Sequence, residues 1–165
     1  MGKRLSAAKT GSPLQEGAPA PAFDLPSDSG KNVKLGDYKG KTFVLYFYPK
    51  DNTPGCTREA QAFTKLLPKF KKAGIDVLGV SKDSIASHCG FRDKLKLKVS
   101  LLSDPDLAVH KAYGAFGEKT MYGKKVQGVI RSTFLIEKGK IKRAWGSVKV
   151  DGHAEAVLAA LDEEE

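Results

Sequence analysis

The chain has 165 residues, a formal net charge of +9, and 41% hydrophobic against 28% charged side chains. That is enough for one domain with a packed core and too little for two of ordinary size. No apolar run approaches the roughly 18 residues of a membrane span, and the start, Met1 to Phe23, lacks the apolar block of a secretory signal, so a cytoplasmic protein is expected.

The segment 1–17 is basic, has no acidic residue before Glu16, and reads as a flexible tail ahead of a domain over 18–165. Its opening MGKRLS also fits the N-myristoylation pattern, which is short enough to arise by chance. Next, AFDLPSDSGKNVKLGDYKG alternates short apolar pieces with Ser, Asp and Gly, the pattern of a hairpin. Thr42 to Tyr48, TFVLYFY, is a nearly continuous β-branched and aromatic run and predicts a central strand buried on both faces.

A helix follows, with Ala60, Phe63, Leu66, Leu67 and Phe70 at helical spacing, Gly74 as its C-terminal cap and Pro68 expected to kink or divide it. IDVLGVS predicts a second buried strand, and DSIASHCGFRDKL a second helix capped by Asp83 or Ser84. VSLLSD reads as a third strand and DLAVHKAYG as a short helix. STFLIEKGKIKRAWG reads as two strands joined at EKGK, and DGHAEAVLAALDEEE as a final helix with Ala154, Val157, Leu158 and Leu161 on one stripe. Strand-helix-strand units, a hairpin and a closing helix define an α/β class, a central mixed sheet flanked by helices with an N-terminal hairpin, as in the thioredoxin fold.

Chemistry concentrates in YPKDNTPGCTREAQAF, where an apolar strand ends and a helix begins. Only a thiolate attacks, and a free cysteine is mostly protonated at neutral pH. Thr53-Pro54 is a helix-start signature, with Thr53 as N-cap, which places Cys56 in the first turn. There the unpaired amides and the positive helix end favour a negative sulfur or a polar substrate oxygen. Gly55 leaves an approaching molecule unobstructed, Arg58 reads as solvated, and Glu59 as a helix-stabilising acid of the first turn.

The motif Pro49-x-x-x-Thr53-x-x-Cys56 resembles the active-site motif of the peroxiredoxins. FYPKDNTPGCTREA, VLGVSKDSIASH, LLSDPDLAVHKAYG and YGKKVQGVIRSTFLIEKGKI, in that order, resemble the bacterioferritin-comigratory-protein (PrxQ) subfamily across Pro21 to Leu161. The resemblance implies a thiol-dependent peroxidase that reduces hydrogen peroxide and alkyl hydroperoxides without metal or other cofactor. Cys56 would be the peroxidatic cysteine, oxidised to a sulfenic acid. Thr53 would orient thiolate and peroxide through its hydroxyl, Arg131 would favour the thiolate and polarise the peroxide, and Pro49 would shield the sulfur from water.

Many subfamily members carry a resolving cysteine five residues after the peroxidatic one, where this chain has Gln61. Cys89 becomes the candidate, although members that resolve from this helix do so about one turn further on, near Arg92. The resemblance then implies an intramolecular Cys56–Cys89 disulfide reduced by thioredoxin or a similar dithiol, and a monomer rather than a dimer. Gly90, beside Cys89, weakens its helix by about 1 kcal/mol relative to Ala, which would help that cysteine leave it. The alternatives are a one-cysteine peroxiredoxin resolved by an external thiol and, from another class, a basic nucleic-acid-binding module. Against the latter, the lysine clusters KFKK, KLKLK and KGKIKR are scattered and accompany no nucleic-acid motif. A disulfide reductase of the same fold would need Cys-x-x-Cys, and histidines 88, 110 and 153 lie on separate segments without metal-ligand spacing.

Overall fold

The structure, a computed structural model, describes residues 14–162. The opening MGKRLS, most of the expected tail and the last three acidic residues lie outside that range. Of the expected tail, Leu14 and Gly17 are described, and their amides donate to Tyr113 O (3.1 Å) and Ile141 O (2.7 Å).

In chain order the elements are β1 (Asp24–Pro26), β2 (Asn32–Lys34), a 3-10 turn (Leu35–Tyr38), β3 (Thr42–Phe47), α1 (Pro54–Lys72), β4 (Asp76–Ser81) and α2 (Ile85–Leu95). Then come β5 (Ser100–Ser103), α3 (Ala108–Ala112), β6 (Phe116–Met121), β7 (Lys124–Val129), β8 (Ser132–Glu137), β9 (Lys140–Trp145) and α4 (His153–Asp162). Five strands form a mixed sheet in the order β5-β4-β3-β8-β9, with β3 central, parallel to β4 and antiparallel to β8. The expected N-terminal hairpin is the β1–β2 pair.

The β3 run is apolar at every position because both of its faces are covered. Val44, Tyr46 and Tyr48 point into a core shared with Ala60, Phe63, Leu67 and Phe70 of α1, Phe91 of α2 and Val157 of α4. Phe43, Leu45 and Phe47 point the other way, onto Phe23, Leu25, Val109 of α3 and Tyr113. The strand end thereby delivers the following loop, and α1 after it, to a fixed place above the sheet.

Helix α1 ends as expected at Gly74, whose φ is +78°. The amides of Gly74 and Ile75 donate to Lys71 O and Phe70 O, a Schellman closure. Pro68, however, does not divide the helix, which continues to Lys72. Pro68 lies on the solvent side, so the bond it forfeits to Thr64 O falls toward water rather than into the core.

The β6–β7 hairpin was not foreseen. It lies outside the main sheet, its residues are mostly exposed, and its turn, Tyr122-Gly123 with φ +53° and +79°, carries no Asn-Gly or Asp-Gly signal.

The N-terminal segment runs along both margins of the sheet. Ser27 bridges Leu102, and Asp28 pairs its backbone amide with Leu101 O on β5. At β9, Pro19 bridges Lys140 and Gly17 donates to Ile141 O.

Gly79, opposite Tyr46 in the β3–β4 register, is set by close approach, since a Cβ there would lie 2.7 Å from the Tyr46 ring and 2.8 Å from its hydroxyl. Gly79→Ala is expected to lower unfolding stability by about 1–3 kcal/mol in urea denaturation. His153, buried with Nε2 at 2.8 Å from Thr133 Oγ1, is held neutral by desolvation and then by Arg131, its pKa pushed down to about 4. Its contribution is complete above the unfolded value of about 6.5 and is lost as pH falls toward 4. His88, shifted upward, titrates with the opposite sign. The check is therefore the difference between wild type and His153→Gln, which should show a loss of about 2–3 kcal/mol confined to that window.

Candidate active site

Between β3 and α1 the chain turns through Pro49–Thr53, with Asn52 at φ +65°. Thr53 occupies the N-cap position and Pro54 the first helical position, as the sequence predicts. The Thr53 side chain nevertheless does not cap the helix: its hydroxyl donates to Lys50 O at 2.7 Å. Thr57 N–H makes the first helical bond, to Thr53 O (2.8 Å), so the Gly55 and Cys56 amides stand at the open helix end.

Cys56 is 1% exposed. The Arg131 guanidinium reaches it from just before β8, Nη2 lying 3.4 Å from Sγ. Arg131 Nη1 donates to Glu59 Oε1 at 2.6 Å, so the planar cation spans the sulfur and a carboxylate one helical turn further along α1. Burial pushes the Glu59 carboxyl up to about 7 even though Arg131 pulls the other way. Glu59 is not the helix-stabilising acid of the first turn that the sequence suggested. It lies in the second turn, 1% exposed, and its three-residue spacing from Cys56 was the available signal.

Gly55 also bears on Arg131. A Cβ there would stand 3.2 Å from Arg131 Nη2, so the missing side chain makes room for the guanidinium. Arg58, as expected, turns to solvent, 3.6 Å from Asp151. Pro49 is half-buried at the head of the loop.

Cys56 and Arg131 are thus brought together, with Thr53 three residues before the sulfur and its hydroxyl proton directed at Lys50 O. Cys89 belongs to a different neighbourhood. It is half-buried on α2, its Sγ 3.6 Å from Asp28 O, beside Arg92, whose Nη1 binds the same carbonyl at 2.8 Å. Gln61, at the position of the short-range resolving cysteine, is exposed. Lys119, from the unforeseen hairpin, donates to Val129 O at 2.6 Å. Its pKa is lowered by desolvation and by the nearby Arg131, while Cys56 acts in the opposite sense. No cluster of three His, Cys, Asp or Glu side chains able to hold a metal occurs among the described residues.

A reduced thiol at a helix N-terminus, bridged by an arginine on a five-stranded mixed sheet, defines the thiol peroxidases of the thioredoxin fold. Comparison with known proteins agrees. The AhpC/TSA family model matches residues 17–144. Peroxiredoxin Bcp of Xanthomonas campestris is 51% identical over 146 residues, 87% of this chain and 91% of that one. A structure of the Xanthomonas campestris bacterioferritin comigratory protein, concerned with its alkyl peroxide reduction activity, matches with a TM-score of 0.81 at 48% identity, covering 86% of this chain and 90% of that one. A serine variant of Xylella fastidiosa PrxQ matches with a TM-score of 0.82 at 42% identity, covering 96% and 98%. The chain belongs to the AhpC/TSA family and is a peroxiredoxin of the Bcp/PrxQ type.

Proposed function

We propose that Cys56 is the peroxidatic cysteine of a reductase for hydrogen peroxide and alkyl hydroperoxides, with Arg131, Thr53 and Pro49 as its active-site partners. The observation that carries this reading is the Arg131 Nη2 to Cys56 Sγ contact of 3.4 Å at a helix N-terminus. A guanidinium there favours the anionic sulfur and then the oxygen that gains charge as the O–O bond breaks. The Cys56 thiolate attacks one peroxide oxygen and becomes the sulfenic acid; the other oxygen leaves with the bonding pair and takes a proton as water or alcohol. Thr53, its proton committed to Lys50 O, keeps lone pairs free to accept from the peroxide O–H. Pro49, half-buried, shields the sulfur from water.

Cys89 then attacks the sulfenic sulfur, releasing water and forming an intramolecular disulfide, which thioredoxin or a similar dithiol reduces by exchange in a reducing, cytoplasmic compartment. Because Cys89 packs on Asp28 rather than on Cys56, this step requires α2 to unwind locally. That same packing supports a second reading, in which an external thiol resolves Cys56 and Cys89 stays passive. We also propose a monomer: among the described residues the large exposed apolar side chains are Tyr122 and Val126, too small a surface for a stable dimer.

A thioredoxin-coupled peroxide-consumption assay tests these roles. Cys56→Ser should be inactive, and Arg131→Met should lose about 10²–10³-fold in peroxide reactivity. Cys89→Ser should complete one turnover and stall. In peroxide-treated wild type, mass spectrometry should find the peptides of Cys56 and Cys89 linked. Glutathionylated Cys56 with free Cys89 would instead establish the external-thiol route.

A further inference from the structure

The loop between Pro49 and Thr53 contains a buried carboxylate that the proposed chemistry does not use. Asp51 is 3% exposed, and both carboxylate oxygens and the amide are engaged. Oδ1 accepts from Tyr48 Oη at 2.6 Å, and Oδ2 accepts from Ser87 Oγ at 2.8 Å and from His88 Nδ1 at 2.7 Å. Its amide donates to Asp83 Oδ2 at 2.8 Å, which also accepts from Ser81 Oγ. Ser87 and His88 both belong to α2, the helix that bears Cys89.

His88 is fully buried, and its Nε2 lies 2.8 Å from Leu102 O on β5. A carbonyl only accepts, and the carboxylate already takes protons from Tyr48 and Ser87, so both ring nitrogens face acceptors, the arrangement that suits an imidazolium. Burial opposes charge on each group, but the hydrogen bonds between them prevail, holding Asp51 below the usual carboxylate range and His88 above the usual imidazole range.

We infer that Asp51 and His88 are positioning residues that fasten the loop bearing Pro49 and Thr53 to the helix bearing Cys89, and that they part when Cys89 moves to Cys56. The second half rests on the proposed Cys56–Cys89 disulfide. While the pair is closed, the turn from Lys50 to Thr53 is held from within by the Asp51 side chain, and with it the direction of the Thr53 hydroxyl. His88 and Cys89 are consecutive, so backbone unwinding that carries the sulfur away from Asp28 O also turns the residue that grips Asp51. Gly90 follows, exposed and with no atom near its missing Cβ, a weak place in the same helical turn.

The energetics suit a fastening that opens. A buried ion pair adds little net stability, because desolvation offsets attraction, yet removing one partner strands the other. Local unwinding of α2 strands neither, since water receives both ions. The resolving step itself consumes the Cys56 sulfenic acid and the Cys89 thiol and yields a disulfide and water, with no further oxidant. Opening that precedes it therefore sets whether disulfide or a second peroxide captures the sulfenic acid.

The test compares rapid-mixing rates of sulfenic acid and disulfide formation with hydrogen exchange of reduced protein, using hydrogen peroxide throughout. In Ser87→Ala, which removes one bond to Asp51 and keeps the ion pair, the first step should stay within about twofold while disulfide formation rises about fivefold, one hydrogen bond's worth. Sulfinic acid at a fixed peroxide excess should fall correspondingly. His88→Asn keeps an N–H toward Asp51, whereas His88→Gln reaches toward Leu102 instead, so Asn should preserve slower disulfide formation than Gln. Amides of the 50–53 loop and of α2 should exchange faster together in Ser87→Ala. Unchanged disulfide rates in Ser87→Ala and His88→Gln, or both steps moving in proportion to Tm, would overturn the inference. Absence of any Cys56–Cys89 disulfide in wild type would refute the disulfide reading alone. The fastening is then judged by exchange, and acceleration of the loop without the helix would overturn it.

Discussion

The site is organised by one cation shared between two acceptors. Arg131 spans the Cys56 sulfur and the Glu59 carboxylate, and the three come from two elements that meet only because β8 lies beside β3 in the sheet. A guanidinium serves here where an ammonium would not: its fork addresses sulfur and carboxylate at once and stays protonated when half-buried. Burial draws Glu59 toward neutrality while Arg131 pulls it toward the carboxylate, so the charge of the pair is set by the same guanidinium that reaches the sulfur. Gly55 completes the arrangement by leaving space for the guanidinium edge.

The framework was largely legible in the sequence, and the reasons are local. TFVLYFY announces a two-sided strand, Thr53-Pro54 a helix start, Gly74 a helix end and EKGK a hairpin, and each signal acts within a few residues. Pro68 does not divide α1, and sequence alone could not show that its lost bond would fall on the solvent side, where water can meet it. The β6–β7 hairpin carries little sequence signal, because solvated strands have little hydrophobic alternation and its turn is closed by Tyr-Gly.

Within the site, the segment around Cys56 could be read directly, whereas its partnerships could not. That Glu59 faces inward, that Gly55 accommodates Arg131, and that Asp51 reaches across to His88 depend on where α1 and α2 lie against the sheet. A carboxylate in a polar loop and a histidine in a weakly amphipathic helix each look like ordinary solvated residues until the fold brings them within hydrogen-bond distance. Cys89 illustrates the same limit: its helix was evident, and its seat against Asp28 was not.

The strap formed by residues 17–28 has a bearing on how such a protein survives its own chemistry. Unpaired strand margins are templates for intermolecular association, and the unwinding that the proposed resolving step requires would reveal them if they were bare. Here one continuous stretch of backbone occupies the outer side of β5 with Ser27 and Asp28 and that of β9 with Gly17 and Pro19. The unwinding of α2 in the proposed cycle would free Asp28 O from Cys89 and Arg92, but the bonds that Ser27 and Asp28 make to β5 do not involve that helix, so mobility for turnover and cover for the sheet rim rest on separate contacts.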